Sequence, residues 1–363
     1  MSPGSAGTEP QPAGAEDEPA ADPQVARRDG DEATAPRLPS LGKQPGPILP
    51  SDSLALAGRK AMWVQVDRML AREEAIRDPA QADALKRYRV ATRRLRAALR
   101  VFRDAYPKRE TKPIRSGLSD LADALGAVRD LDVRLEEVDR WAAEQPEAIR
   151  AGVEPLRDSL ASRRRAAAST LARKLDARSH HRLMVGLTRF VTAPERDPAA
   201  TGGPPDRSIR DRAASSIWTA YELVHAYAPV VRSADLPTLH GLRIEAKRLR
   251  YTIEFLGDIL APGGEWAIER LVALQDHLGA LNDATLAVGA VRTFLADRHA
   301  TLTTVERAAA VAYLGDRERE LARLRRSVNS AWRPVVGVTF ARKLAHAVVS
   351  PPDARHAASS TGR

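Results

Sequence analysis

Apolar residues recur at helical spacing along almost the whole chain from Ser53 onward. This periodicity predicts ten helices, near residues 54–76, 81–106, 113–144, 147–178, 180–193, 208–228, 235–261, 263–297, 301–330 and 338–348. No alternating apolar and polar pattern of useful strand length interrupts them, so the predicted fold class is all-α. Between the fifth and sixth helices, a stretch rich in proline and glycine predicts a linker at residues 194–207.

The two ends of the chain lack this periodicity. Residues 1–52 are rich in proline, alanine and acidic residues, a composition typical of disorder, and residues 349–363 are also predicted to be a disordered tail. The helical domain is therefore predicted to span residues 53–348. Its two halves are predicted at about 53–193 and 208–348.

Two arginine-rich segments are near-copies of each other. The first reads Lys86-Arg-Tyr-Arg-Val-Ala-Thr-Arg-Arg-Leu-Arg96, and the second reads His240-Gly-Leu-Arg-Ile-Glu-Ala-Lys-Arg-Leu-Arg250. Downstream of them, Leu121-Ala-Asp-Ala-Leu-Gly-Ala-Val-Arg-Asp130 resembles Leu274-Gln-Asp-His-Leu-Gly-Ala-Leu-Asn-Asp283. The offsets are 154 and 153 positions. Because both pairs of motifs recur at nearly the same offset, the sequence predicts an internal repeat. This repeat predicts two antiparallel helical bundles, related by pseudo-two-fold symmetry, in one compact domain.

In each copy the basic residues lie along one helix face. With about 100° between successive residues, the first copy places five of them in a stripe about 80° wide. These residues are Lys86, Arg89, Arg93, Arg96 and Arg100. The apolar residues of the same segment lie on the opposite face, which is predicted to pack into a bundle.

The second copy carries a shorter basic stripe. The residues that repeat the pattern are His240, Arg243, Lys247 and Arg250. Glu254 occupies the position that corresponds to Arg100 in the first copy. The second stripe is therefore predicted to be partly neutralised.

The charge of the first stripe is unusual for a helix that faces solvent. Between Asp83 and Asp104 there are eight basic residues and no acidic residue, so the usual pairing of opposite charges one turn apart is missing. Like charges at this spacing repel each other by about a few tenths of a kcal/mol per pair, which a bound anion would offset. A solvated basic face is the alternative interpretation, but the recurrence of the stripe favours anion binding.

The length and chemistry of the first stripe indicate a chain of phosphates. The distance from Arg89 to Arg100 is roughly 16 Å along the helix axis, too long for a single phosphate. Guanidinium groups bind phosphate oxygens in pairs and stay charged at cellular pH. The stripe lacks interleaved aromatic residues for base stacking, and it lacks the Asn and Gln residues that read base edges. A nucleic acid bound to the same surface is the alternative ligand.

Composition is consistent with a polyanionic partner. The chain has a net charge of +10 and a pI of about 10.2, and its first 50 residues carry −4, which leaves +14 for the remainder. Since the chain has no cysteine, disulfides, thiol nucleophiles and thiolate metal sites are excluded. Neither an apolar leader nor a run of about 18 apolar residues is visible, which predicts a cytoplasmic protein without a membrane partner.

The paired motifs resemble the CHAD family, the conserved-histidine α-helical domain. Its members carry the signature His-x-x-Arg-(x)3-[Arg/Lys]-Arg-x-Arg twice, each time followed by Leu-Gly-x-x-x-Asp. The second copy here matches in full with His240, Arg243, Lys247, Arg248, Arg250, Leu278, Gly279 and Asp283. The first copy matches with Arg89, Arg93, Arg94, Arg96, Leu125, Gly126 and Asp130. The resemblance covers about residues 53–345.

The resemblance implies a compact domain of two helical halves with a basic central groove. It also implies binding of inorganic polyphosphate and targeting to polyphosphate granules. The predicted polyphosphate-binding residues are Lys86, Arg89, Arg93, Arg94, Arg96, Arg100, His240, Arg243, Lys247, Arg248 and Arg250. Lys86 stands where the first signature has histidine, and lysine keeps the positive charge but loses the pH switching of an imidazole.

An enzyme that acts on phosphoanhydrides is a third hypothesis. Such an enzyme would need a set of metal-binding carboxylates, or the Glu-x-Glu-x-Lys strand of the catalytic domain to which some family members are fused, and the sequence shows neither. A non-enzymatic binding module without a cofactor is therefore predicted.

Six further residues have structural interpretations. His180-His181 suggests a metal site, but neighbours in sequence point to different faces of a helix, so both are expected in the basic lining or at the surface. Asp130 and Asp283 are expected to orient or neutralise arginines across the bundle. Gly126 and its equivalent in the second half are expected to permit close contact between helices.

Overall fold

The structure is a computed structural model that describes residues 40–78, 81–194, 208–261 and 264–349. These ranges contain eleven α-helices: α1 (Leu54–Leu70), α2 (Ala82–Val101), α3 (Lys108–Ala143), α4 (Glu147–Gly152), α5 (Glu154–Asp176), α6 (Arg178–Thr192), α7 (Ile209–His225), α8 (Leu236–Phe255), α9 (Gly264–Asp297), α10 (Thr304–Val336) and α11 (Val338–Val349). Within the same ranges there is no β-strand, only an isolated bridge between Ser53 and Ser208. The predicted all-α class is confirmed.

Local chemistry explains where several helices begin. The Ser53 hydroxyl accepts a hydrogen bond from the Leu56 amide (3.0 Å), and the Asp235 carboxylate accepts one from the Thr238 amide (2.9 Å). Each contact satisfies an amide that has no partner in the first helical turn. The helix predicted at 147–178 is two helices in the structure. Pro155 is the second residue of α5 and has no amide hydrogen to donate to the preceding turn, which favours a break between α4 and α5.

The first three helices of each half correspond closely. Helices α1, α2 and α3 have 17, 20 and 36 residues, and α7, α8 and α9 have 17, 20 and 34. In the first half, α2 contacts α1 and α3, and in the second half α8 contacts α7 and α9. This agrees with an internal repeat. The two-fold axis and the central groove stay predictions.

The halves share one hydrophobic core. Buried residues of α1, α2, α3, α5 and α6 form a single cluster with buried residues of α7, α8, α9, α10 and α11. A second cluster joins α3 and α5 to α9 and α10 across the halves. Because α2 also contacts α8, and α4 contacts α10, the two halves build one body.

The folded part of the chain begins before residue 53. Residues 40–52 belong to the segment predicted as a disordered tail, yet Leu41 and Ile48 are buried in the main core. The Trp63 indole donates to the Leu41 carbonyl at 3.4 Å. Two apolar side chains separated by prolines and glycines carry no periodic signal, so sequence patterns missed this contact. The rest of that tail, most of the predicted linker and residues 350–363 lie outside the described residues.

None of the described helices combines the length and the apolar character needed to cross a bilayer.

Phe102 tests whether the halves depend on each other. Its side chain is fully buried at the end of α2, and its ring lies 6.2 Å from the ring of Phe255 at the end of α8. Phe102→Ala is expected to lower the free energy of unfolding by about 3–5 kcal/mol, since it leaves a cavity between the halves. Urea unfolding followed by circular dichroism measures this change.

Val338→Ala is the matched control, because Val338 is 84% exposed. Its effect is expected to be within about 0.5 kcal/mol of zero. Equal losses in the two variants, or separate unfolding transitions of the two halves in the wild type, would contradict the shared core.

Candidate anion-binding site

Helices α2 and α8 bring cations from both halves together. We call Arg89, Arg93, Arg243 and Lys247 the central cluster. Burial lowers the pKa of Arg89, and the charges of Arg93 and Arg243 lower it further. Burial and the charge of Arg93 likewise lower the pKa of Arg243. The basic residues of the two predicted stripes therefore lie close enough to repel each other electrostatically.

Lys247 is the most strongly affected member of the central cluster. Its pKa falls from 10.5 to about 7, first because its ammonium is partly buried, and then because four arginines repel its charge. These arginines are Arg243, Arg93, Arg89 and Arg250. An ammonium in this position is not fully charged at neutral pH, and a nearby anion would restore its charge.

Acidic residues stand beside the central cluster and neutralise part of it. The Asp130 carboxylate on α3 lies 3.7 Å from the Arg89 guanidinium, and the charge of Asp283 on α9 raises the pKa of Arg243. Both aspartates thus face arginines, in agreement with the sequence interpretation. In addition, the Nε atoms of Arg93 and Arg243 are buried and find no hydrogen-bond partner among the described residues.

Arg94 and Arg250 have a different environment from the central cluster. Arg94 of α2 donates to the Glu254 carboxylate of α8 at 2.6 Å, and Arg250 lies 3.3 Å from the same carboxylate. Both guanidinium groups lie over the buried Tyr251 ring, at 5.9 Å for Arg94 and 4.9 Å for Arg250. We call these four residues the interhelix network. This network joins the halves. Two of the predicted phosphate ligands, Arg94 and Arg250, are engaged in it.

A second group of cations lies near the end of α2 and has members from α2, α3 and α8. We call Arg96, Arg100, Arg115 and Arg248 the outer cluster. Burial lowers the pKa of Arg100, and Arg248, Arg96 and Arg115 lower it further. Arg248 lies 3.5 Å from the Glu245 carboxylate, so one acid partly offsets four cations. The outer cluster and the interhelix network occupy equivalent places in the two halves, because Arg100 corresponds to Glu254 and Arg248 to Arg94.

The profile of the CHAD domain family matches residues 60–292, which is more than half of the chain. The chain belongs to the CHAD family.

Similar proteins occur in Mycobacterium tuberculosis. The uncharacterized protein Rv2226 is 29% identical over 259 residues, and the uncharacterized protein MT2285 is 28% identical over 259 residues. Each alignment covers 68% of this chain and 47% of the relative. The CHAD chain described here therefore spans about half the length of these relatives.

Solved structures show the same fold. A CHAD domain from the plant Ricinus communis superimposes with a TM-score of 0.59 at 23% identity, covering 79% of this chain and 96% of that one. PptA from Streptomyces chartreusis superimposes with a TM-score of 0.61 at 18% identity, covering 78% of this chain and 99% of that one. At these identities the likeness concerns the fold alone.

The structure distributes the predicted ligands of this CHAD domain over several environments. Four residues form the central cluster, Arg96, Arg100 and Arg248 join the outer cluster, and Arg94 and Arg250 belong to the interhelix network. Lys86 and His240 are exposed near the beginnings of α2 and α8. The His240 ring nitrogen Nδ1 lies 3.3 Å from the Asn282 amide oxygen on α9.

Sequence reasoning missed Arg115 and Arg129, both on α3. Arg115 contributes to the outer cluster, and Arg129 lies close enough to lower the pKa of Arg89. Helix α3 follows α2 after a short connection, so antiparallel packing brings its first half to the end of α2. That signal could have identified Arg115. It could not have identified the orientation of either side chain.

The expectation for His180 was wrong. This residue is buried, and its Nε2 atom lies 2.6 Å from the Glu73 carboxylate, which also accepts a hydrogen bond from the Tyr88 hydroxyl at 3.0 Å. Burial raises the pKa of Glu73, but the contacts with His180 and Tyr88 outweigh it, and the pKa is lowered. No group of three metal-ligating side chains occurs among the described residues.

Lys247→Met tests the crowding of the central cluster in the free protein. Because the pKa of Lys247 is about 7 in the folded protein and 10.5 in the reference state, its proton favours the unfolded chain. This cost is complete below pH 7 and disappears as the pH rises toward 10.5. The variant is therefore expected to be more stable than the wild type at pH 6, by about 1–3 kcal/mol after allowance for solvent screening.

Urea unfolding at pH 6 and pH 10 measures this difference, with Lys112→Met as the control, because Lys112 is an exposed lysine on α3. If the difference in unfolding free energy between the wild type and Lys247→Met were the same at both pH values, the cations would not crowd Lys247.

Proposed function

We propose that this CHAD domain binds inorganic polyphosphate at the central and outer clusters and does not catalyse a reaction on it. The observation that supports this most strongly is the position of Lys247, whose pKa is lowered to about 7 by burial first and then by the charges of four arginines. Such crowding costs free energy in the free protein, and a bound polyanion would recover it. The association of the CHAD family with polyphosphate supports the identity of the anion.

A chain of phosphates fits the arrangement better than a single phosphate. The central cluster lies near the middle of α2, and the outer cluster continues along the same helix to Arg100. Arg89 and Arg100 are separated by roughly three turns of helix. A linear polyanion can contact both clusters at once, whereas one phosphate cannot.

The aromatic residues near the site favour polyphosphate over single-stranded nucleic acid. Tyr251 and Phe255 are buried, and the Arg94 guanidinium covers them at 5.9 Å and 5.6 Å from the ring centroids. Their faces are therefore not free to stack on bases. What the site offers to a ligand is charge.

The acidic residues beside the cations also support a binding role. Asp130 contacts Arg89, and the charge of Asp283 acts on Arg243. Carboxylates that neutralise arginines are poorly placed to activate a water molecule. We further propose that the protein is cytoplasmic and that, as the family resemblance implies, it associates with polyphosphate granules.

Arg89→Ala combined with Arg243→Ala is expected to weaken polyphosphate binding about 100-fold, because two charge-assisted contacts are lost at once. Calorimetric titration with polyphosphate of defined length measures the affinity. Circular dichroism should show an unchanged helical fold. Arg87→Ala with Arg292→Ala is the matched control, since both side chains are exposed and paired with acids outside the clusters.

Equal losses of affinity in the two double variants would show that net charge rather than the central cluster determines binding. Competition with duplex and single-stranded DNA at equal phosphate concentration separates the ligands. Displacement of polyphosphate by DNA, but not the reverse, would favour nucleic acid.

A further inference from the structure

Gly126 on α3 and Gly279 on α9 lie at equivalent positions of the two halves and were expected to permit close helix contact. The structure contradicts this expectation, because a Cβ atom built on either glycine would meet nothing within 4 Å. Both glycines lie inside long helices, where glycine is less stable than alanine. The fold therefore carries this cost at both positions without any gain in packing.

Two contacts show what Gly126 faces. The Asp130 carboxylate of α3 lies 3.7 Å from the Arg89 guanidinium of α2, and the Ser119 hydroxyl of α3 lies 3.4 Å from that of Arg96. The order of these contacts makes the two helices antiparallel. Gly126 lies between Ser119 and Asp130, one turn before Asp130 on the same face. It is therefore level with the stretch of α2 that carries Arg89 and Arg93.

The second half repeats this arrangement. The His240 ring lies 3.3 Å from the Asn282 amide, and the Gln275 amide donates to the backbone carbonyl of Ala246 at 3.1 Å. Gly279 lies between Gln275 and Asn282 on α9, so it is level with the stretch of α8 between His240 and Ala246. This stretch contains Arg243 of the central cluster.

Open space and charge thus coincide at both glycines. Each is partly exposed to solvent, as are Arg93 and Arg243, so the space is open to a ligand. Open space alone is not distinctive, because Gly186 on α6 and Gly289 on α9 also have nothing within 4 Å of a built Cβ. Gly126 and Gly279 differ from the other two glycines in their position, because both are level with the central cluster. Among the described residues, no comparable contacts place Gly186 or Gly289 there.

We propose that Gly126 and Gly279 are clearance positions, where the missing side chains leave room for the polyphosphate chain to lie against α3 and α9 beside the central cluster. This inference rests on the proposed function and adds the path of the ligand to it. The helical amide groups are already hydrogen-bonded along the helix, so the glycines supply space and not contacts. Any side chain on them would push phosphate oxygens away from Arg89, Arg93 and Arg243.

Gly126→Leu and Gly279→Leu test this path without changing any charge. Each variant is expected to bind polyphosphate about tenfold more weakly than the wild type, because a buried overlap of this size costs about that factor. The melting temperature is not expected to fall, since leucine is a better helix former than glycine. A loss of affinity together with unchanged or higher stability is an outcome that a packing role would not produce.

Gly186→Leu and Gly289→Leu are the matched controls and are expected to keep wild-type affinity. Gly126→Ala and Gly279→Ala are expected to lose about two- to threefold, in proportion to their smaller volume. They preserve the test if a leucine variant does not fold, and in that case unchanged affinity in both alanine variants overturns the inference.

The possible outcomes separate this inference from the proposed function. If the wild type does not bind polyphosphate, the proposed function fails. If the wild type binds and the leucine variants at positions 126 and 279 bind equally well, only the proposed path fails. Equal losses at all four glycines would also overturn the path, because the effect would not be specific to the positions beside the cations.

Discussion

The contact between α2 and α8 is the constraint on which the rest of the structure depends. Glu254 holds Arg94 of the other half at 2.6 Å and Arg250 of its own helix at 3.3 Å, over the buried Tyr251 ring. The network is partly shielded from water, so it fixes the relative position of the helices more firmly than an exposed pair would. Because the helices meet here, the cations that precede the network on both helices are forced together.

The central cluster lowers the stability of the fold in the absence of a ligand. Burial and mutual repulsion lower the pKa values of Arg89, Arg243 and Lys247, and neighbouring aspartates offset only part of this effect. The shared hydrophobic core of the two halves supplies the stability against which this cost is set. Glycines in the middle of α3 and α9 add to the same pattern, in which local stability is lower where an anion is proposed to lie.

Periodicity predicted most of the helices, because a helical pattern depends on residues close together in sequence. The pairing of Arg94 with Glu254 could not be predicted, since it joins residues 160 positions apart. The same holds for the burial of His180 against Glu73, 107 positions away. The packing of residues 40–52 was missed for another reason. Irregular segments bury single side chains, and these leave no periodic pattern.

Comparison of the halves shows a further limit of sequence patterns. Because Glu254 replaces the equivalent of Arg100, the sequence predicted a partly neutralised second stripe, and in the structure this exchange separates two environments. One is a contact between the halves in which a single carboxylate partly neutralises two arginines, and the other is a cluster of four arginines with one carboxylate. Residues that match a motif equally well therefore differ in whether a carboxylate neutralises their charge. Only the neighbours in the tertiary structure determine this difference.

The most direct test is an NMR titration of the Lys247 side chain in the free and the polyphosphate-bound protein. If burial and the neighbouring cations act on Lys247 as described, its pKa is about 7 in the free protein. Bound polyphosphate should raise this pKa by at least about two units, because a nearby anion favours the charged ammonium. A pKa near 10.5 in the free protein, or a lowered pKa that polyphosphate leaves unchanged, would contradict the central claim.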